Sequence, residues 1–160
     1  MTKNPHDEKS GTPTTPATTG SKIVEPCFNL MLRQADRVLT SHYNAYLSGC
    51  GIKVTQFSVL RSLWYMKRCS QQQLEKVLLV DQATLTRSLK PLIREGYIER
   101  TPDPSDRRVM LCSLTESGKT LFKQAEKQWQ LAQQSVEQKL GPAMIAQLLG
   151  ASSALIDLKS

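Results

Sequence analysis

The stretch from Asp81 to Gly118, DQATLTRSLKPLIREGYIERTPDPSDRRVMLCSLTESG, constrains the fold more than any other part of this chain. Its apolar period begins helical, changes to alternation, breaks at a charged tip and then alternates again. Asp81 is placed to cap a first turn, and Leu85, Leu89, Leu92 and Ile93 recur at the spacing of one buried face. At about 100° per residue, Arg87, Lys90 and Arg94 gather opposite those residues, and no acid falls between Gln82 and Arg94. Glu95 and Gly96 end the helix, the glycine accepting the left-handed conformation that closes a C-terminus. Tyr97 to Arg100 then read as a strand, Thr101 to Asp106 as a turn in which Pro102 and Pro104 stop the ladder, and Val109 to Leu114 as the return strand. Helix, strand, tip and strand in that order predict a winged helix.

The exposed side of the predicted helix is basic, which suits the phosphate-lined wall of a DNA groove. Gln82, Thr84 and Thr86, with Ala83 beside them, occupy the first turns, the part of a recognition helix that reaches base edges. Arg87 and Lys90 follow on the basic face. At the hairpin rim Arg107 and Arg108 stand beside Asp106, two guanidinium groups suited to clamping phosphate or entering a narrow, A·T-rich minor groove. Singly, a basic helix face and a charged hairpin are ordinary solvated surfaces. Their ordered combination is what points to double-stranded DNA.

Upstream, Thr55 is positioned to cap a helix whose inward residues are Phe57, Leu60, Leu63 and Trp64, and Ser70 with Gln73 makes a capping box. Leu74, Val77 and Leu78 are expected to face inward. The segment 70–78, a turn through Leu79 and Val80 and the helix from Gln82 form a helix-turn-helix. Through GIKVTQFSVLRSLW, QQQLEKVLLVDQATLTRSLKPLIREGYIER and DPSDRRVMLCSLTESG, the chain resembles the MarR family of bacterial transcriptional regulators, from Pro26 to about Lys159. The resemblance implies a mainly α fold with a small β wing, a winged helix-turn-helix carrying N- and C-terminal dimerisation helices. It also implies that Arg108 enters the minor groove, oriented by Asp106, with Arg107 auxiliary.

A length of 160 residues suits one small domain, and a formal charge of +7 favours an anionic partner, although membrane-surface proteins share such a balance. No apolar stretch approaching the roughly 20 residues of a membrane span, and no signal-like run, is read from the sequence, so a cytoplasmic protein with no membrane partner is expected. The first residues are rich in Thr, Pro, Ser and Gly and lack aromatics until Phe28. A disordered tail is expected over 1–24, with Lys3, Lys9 and Lys22 as solubilising charges. The MarR-type domain would then span 25–160, with the winged helix-turn-helix at about 55–118 and dimerisation helices at about 26–48 and 115–158.

Pro26 is placed to open a long helix bearing Phe28, Leu30, Met31, Ala35, Val38, Leu39, Tyr43, Tyr46 and Leu47, and Gly49 and Gly51 to end it. Thr115 starts another, with Leu121, Phe122, Ala125, Trp129, Ala132, Val136 and Leu140 at helical spacing until Gly141 and Pro142 break it. A last helix from about Ala143 to Leu158 adds Ile145, Leu148, Leu149, Leu155 and Ile156, more apolar surface than a small wing covers. A homodimer is expected, two recognition helices reading a pseudo-palindrome. The resemblance implies an interface built from Pro26 to Phe28, Gln133 to Leu140 and Ala143 to Leu158.

Cys27, Cys50, Cys69 and Cys112 lack the close paired spacing of a zinc site, and no metal or cofactor is expected. Cys27 with Phe28 is similar to the sensing position of the peroxide-responsive branch of the family, which implies a possible thiol sensor. That branch has tyrosines four and fourteen residues after its cysteine, where this chain has Met31 and Ser41, with Tyr43 nearest. More generally the resemblance implies release from DNA by a small aromatic or phenolic ligand, with Arg33, Arg37, His42, Trp64 and Trp129 as candidate pocket residues. An enzyme is disfavoured, because His6 lies in the tail, His42 has no local partner and no phosphate loop or metal spacing is present. The function expected is therefore a homodimeric repressor. A redox-sensing regulator using Cys27 is one alternative, and a winged-helix protein-interaction module is the other.

Overall fold

The computed structural model describes residues 27–158, so the tail expected over 1–24 and the opening role of Pro26 lie outside the described residues. The order is α1 (Phe28–Leu47), a 3-10 turn (Ser48–Cys50), α2 (Val54–Met66), β1 (Arg68–Ser70), α3 (Gln71–Leu78), α4 (Gln82–Arg94), β2 (Ile98–Pro102), β3 (Met110–Leu114) and α5 (Glu116–Asp157). The fold is mainly α with a small antiparallel sheet in the order β1-β3-β2, as a winged helix requires.

Local chemistry sets most of the boundaries. Ser70 Oγ accepts from the Gln73 N–H while Gln73 Oε1 accepts from the Ser70 N–H, the reciprocal box anticipated for α3. Asp81 caps α4 by accepting the Thr84 N–H at 2.6 Å. At the other end of α4 the Gly96 N–H donates to Ile93 O and the Tyr97 N–H to Leu92 O, with Gly96 at φ +73°. That pair of bonds is a Schellman closure, and it turns the chain directly into β2.

The core lies where α2, α3, α4 and the start of α5 meet the sheet. Phe57, Leu60, Leu63, Leu74, Leu85, Leu89, Leu92, Ile98 and Phe122 are all buried there. Complete burial of such a side chain contributes about 1.5–3 kcal/mol, so the apolar face of α4 holds the helix down while its opposite face stays free. Four aromatic rings run through this core in sequence. Trp129 stacks on Phe57 at 5.7 Å, Phe57 on Phe122 at 5.8 Å, and Phe122 on Trp64 at 4.9 Å.

Five expectations need correction. The cap of α2 is Lys53 rather than Thr55; the Lys53 N–H donates to Gln56 Oε1, and Asn44 Oδ1 takes the Val54 N–H. Val77 is exposed, because eight residues of α3 leave only Leu74 fully buried and Leu78 half-buried. Pro102 does not stop the ladder but closes it opposite Met110, since β2 is an edge strand and a missing N–H costs nothing on the open side. A third strand, β1, was not anticipated; it pairs Arg68, Cys69 and Ser70 with Ser113, Cys112 and Leu111. Finally, one 18-residue window within α5 is apolar enough by length and composition to cross a bilayer, with mean hydropathy 1.2, contrary to the expectation that no stretch is.

The last correction has a visible source. The backbone leaves helical conformation at Gly141 (φ +75°, ψ 163°), the break expected at Gly141–Pro142, and the segment beyond it exposes Met144, Leu148, Leu149, Leu155 and Ile156. Phe28, Leu30, Met31, Leu32 and Val38 of α1 are exposed as well. A long apolar surface on the two terminal segments is thus left uncovered in the protomer.

The tightest joint is at the base of the wing. The Thr115 hydroxyl caps α5 by accepting the Gly118 N–H and donates to Gly96 O at 2.7 Å, and the Thr115 N–H donates to Tyr97 O. A Cβ on Gly118 would stand 2.0 Å from Tyr97 O, a backbone atom that cannot move aside without opening the sheet. Gly118→Ala is therefore expected to destabilise the fold by about 1–3 kcal/mol or more in chemical denaturation, whereas Gly150→Ala, with nothing near its Cβ, should not.

Candidate nucleic-acid interface

The outward face of α4 is built by the residues that burial leaves over. Gln82, Ala83, Thr86, Arg87 and Lys90 are exposed and Thr84 is half-exposed. Thr86 Oγ1 accepts from Gln71 Nε2 at 3.3 Å, which ties α3 to α4 across the turn. Arg87 lies back along its own helix, Nε donating to Ala83 O and Nη2 to Thr84 Oγ1, both at 3.4 Å. Contacts that long are weak, so the guanidinium is free to swing outward.

Asp81 lies just ahead of this face. Hydrogen bonds from Thr84 hold its carboxyl below the ordinary range, with Arg87 adding a smaller push in the same direction. Its charge is committed to the helix start, where a negative group favours the dipole.

The wing tip is preorganised. Arg108 Nε donates to Asp106 Oδ1 and Nη2 to Asp106 Oδ2, both at 3.0 Å, and the Arg108 N–H also donates to Oδ1. This two-pronged pairing fixes the guanidinium plane although the arginine side chain is 90% exposed. Arg108's hydrogen bond holds the Asp106 carboxyl below its usual range and raises the guanidinium pKa. Asp103 stabilises the same loop by accepting from the backbone and hydroxyl of Ser105. Arg107 is exposed beside it.

Two further cations belong to this surface and were not singled out from the sequence. Arg68, on the unanticipated β1, donates to Thr101 Oγ1 at 2.5 Å and buttresses β2 below the tip. Arg100 joins Lys90, Gln71, Thr86, Leu89 and Ile93 around a recess of about 200 Å³ between α4 and the sheet. Neither left a usable signal: Arg100 stands two residues after buried Ile98 and so on the same face of β2, where alternation predicts an apolar residue, and Arg68 stands in a strand of three residues, too few to show a period.

The five candidate pocket residues do not meet within one protomer. Arg33 borders an open depression with Phe28, Leu32 and Leu155. Trp64 lines a recess with Lys67. Trp129 packs between Phe57 and the Arg61 guanidinium. His42 sits against Tyr43 and Tyr46 with Nε2 buried and, among the described residues, without a hydrogen-bond partner, and Arg37 is exposed.

Cys27 is exposed at the start of α1. Tyr43 is sixteen residues further along the same helix, about 24 Å at 1.5 Å per residue, and its hydroxyl donates to Gln133. No tyrosine of that position can hold the Cys27 thiolate within one protomer. Cys69 and Cys112 are buried cross-strand partners; burial, then the neighbouring Cys112, pushes the Cys69 thiol up to about 11, and burial raises Cys112. They are packing residues.

Residues 52–110 match the MarR family. The chain is 37% identical to the multiple antibiotic resistance protein MarR of Escherichia coli over 112 residues, 70% of this chain and 73% of that protein. Its structure superposes with TM-score 0.73 on a cysteine-to-serine variant of E. coli MarR complexed with operator DNA, at 30% identity, covering 79% of this chain and 91% of the other. It superposes with TM-score 0.76 on the transcriptional regulator PA4135, at 26% identity, covering 85% and 100%.

The wing pair has a defined pH response. Because the folded Asp106 carboxyl is held below its ordinary value, its pairing with Arg108 is complete above the usual carboxylate range and is lost only as pH falls through the depressed value. The Arg108 Nε–H resonance should therefore stay constant from neutral pH to below about 4, then shift; a shift near neutral pH would contradict the pairing.

Proposed function

This chain belongs to the MarR family of transcriptional regulators, and we propose that it acts in the cytoplasm as a homodimeric repressor, reading a pseudo-palindromic operator in duplex DNA and releasing it when a small aromatic or phenolic ligand binds. The observation that carries this reading is the pairing, in one rigid module, of an acid-free α4 face with an arginine already aimed by a carboxylate at the wing tip. In this reading α4 lies in the major groove, with Gln82, Ala83, Thr84 and Thr86 near base edges and Arg87 and Lys90 on bases or phosphates. Arg108 enters the adjacent minor groove, with Arg107 on the backbone.

Two copies are needed for the read-out to be tight. The uncovered apolar surface on α1 and on α5 beyond Gly141 is the natural contact between them, and it accounts for the apolar window in α5 without a membrane. Two α4 helices about one turn of DNA apart, roughly 34–36 Å, would then meet two half-sites. A dimer covering a promoter blocks polymerase, so repression follows from occupancy alone.

Binding to a duplex selected from random sequence should weaken steeply with salt, each neutralised phosphate adding about 0.9 to the log–log slope. Arg87→Ala should cost about 1–3 kcal/mol and relax preference at one position per half-site; Arg108→Ala should weaken binding mainly to A·T-rich flanks. A flat salt response, or wild-type binding by both variants, would contradict the orientation. Leu149→Arg, placing a charge on the proposed contact, should shift the protein from dimer to monomer in sedimentation and lower operator affinity together. A variant that remained dimeric would place the interface elsewhere.

A further inference from the structure

The short strand β1 carries one long cationic side chain, and its register shows where that chain goes. Arg68 stands opposite Ser113 of β3, which stands opposite Glu99 of β2; two residues along, Ser70, Leu111 and Thr101 form the next row on the same face. Both rows lie on the face away from buried Cys69 and Cys112. Arg68 does not take the carboxylate in its own row. Glu99 accepts from the Ser113 hydroxyl at 3.1 Å, and among the described residues no ion pair joins it to Arg68. The guanidinium crosses β3 to the next row instead, where Nη2 donates to Thr101 Oγ1 at 2.5 Å. Among the described residues no other side chain of α1 to α4 or β1 hydrogen-bonds to the β2–β3 hairpin.

The position of this bond bears on the wing tip. β1 pairs with β3 only from Ser113 to Leu111, and β2 pairs with no strand but β3. The ladder ends at Pro102 and Met110, beyond which the Asp103 N–H donates to Val109 O and the Val109 N–H to Asp106 O. A two-stranded ribbon standing alone is marginal in water, and Arg68 grips this one beside its last ladder pair. Its charge reaches further still. Ser105 does most to hold the Asp103 carboxyl below its usual range, and Arg68 pulls in the same direction. The other end of the brace is fixed, because Arg68 lies between the close of α2 at Met66 and the start of α3 at Gln71. A bond between exposed side chains contributes little to stability, so folding alone gives small reason for it.

We propose that Arg68 is a positioning residue for minor-groove reading: it braces β2 from the end of α2, sets the angle between α4 and the wing, and so decides where Arg108 meets the duplex. This rests on the reading of α4 and the wing as DNA-binding parts, and adds to it the residue that fixes one relative to the other. Direct contact with a phosphate is the competing role for an exposed arginine. The two roles differ in what they depend on. A phosphate contact acts on any sequence and by itself contributes about one unit of salt slope, whereas a brace acts only through Arg108.

Full-length wild type, Arg68→Ala, Arg68→Lys, Thr101→Val, Arg108→Ala and the Arg68→Ala/Arg108→Ala double variant are titrated with a selected duplex carrying A·T-rich flanks, and with the same core between G·C flanks. Arg68→Ala should lower affinity for the A·T-flanked duplex by about three- to fivefold, with the melting temperature unchanged. Thr101→Val should do the same, and Arg68→Lys, which keeps a donor of similar reach, should restore most of the loss. In the Arg108→Ala background, Arg68→Ala should cost nothing more. Wild-type affinity in Arg68→Ala, wild-type affinity in Thr101→Val, or a lowered melting temperature in Arg68→Ala would each overturn the brace. So would a further loss in the Arg108→Ala background with a salt slope smaller by about one, which would put Arg68 on a phosphate. Any of these alongside normal wild-type binding sinks the brace alone, whereas a wild-type protein that binds neither duplex sinks the DNA-reading surface and the brace with it.

Discussion

The carbonyls of Gly96 and Tyr97 hold the molecule together at the point where its three working parts meet. They receive the Thr115 hydroxyl and N–H, and Gly118 lies so close to Tyr97 that no side chain fits between. Gly96 is also the closing residue of α4, Tyr97 leads into β2, and Thr115 is both the exit of β3 and the cap of α5. α4, the wing and α5 therefore share one hydrogen-bonded joint, made by the hydroxyl and the N–H of Thr115, rather than a flexible linker. A shift of α5 would reach α4 and the wing together, which the proposed reading requires of a dimer whose terminal helices set the spacing of two DNA-reading modules.

Charge is arranged around that joint in two ways. At the wing tip the cation is held: Asp106 accepts both ends of the Arg108 guanidinium and removes most of its orientational freedom before any partner arrives. On α4 the cations are loose, Arg87 resting on long contacts with Ala83 and Thr84 and Lys90 unpaired among the described residues. A fixed arginine suits a narrow groove of one shape, and mobile ones suit base edges that differ between sites.

Much of this architecture was legible in residue order because it depends on local chemistry. Asp81, Ser70 with Gln73, and Gly96 each act on atoms two to four residues away, and each does in the structure what its position suggested. The period of Leu85, Leu89 and Leu92 likewise gave the buried face of α4. What escaped depended on neighbours distant in sequence. β1 exists because β3 offers it a ladder, Pro102 remains in β2 because its open edge faces no strand, and Lys53 caps α2 because Asn44, ten residues upstream, takes up the next N–H. Gly118 stood out as part of a motif, but its physical reason, the approach of Tyr97, is visible only in three dimensions. The left-handed φ of +64° at Lys67, where α2 closes, left no trace in the sequence at all.

Footprinting the protein on its selected operator tests the central claim most directly, with dimethyl sulfate reporting guanine N7 in the major groove and hydroxyl radicals reporting minor-groove access. A dimer of these modules predicts two patches of N7 protection about 10 base pairs apart on one face of the duplex. Each should be accompanied by minor-groove protection that disappears in Arg108→Ala while the N7 patches remain. A single N7 patch, or minor-groove protection unchanged by that substitution, would contradict the account.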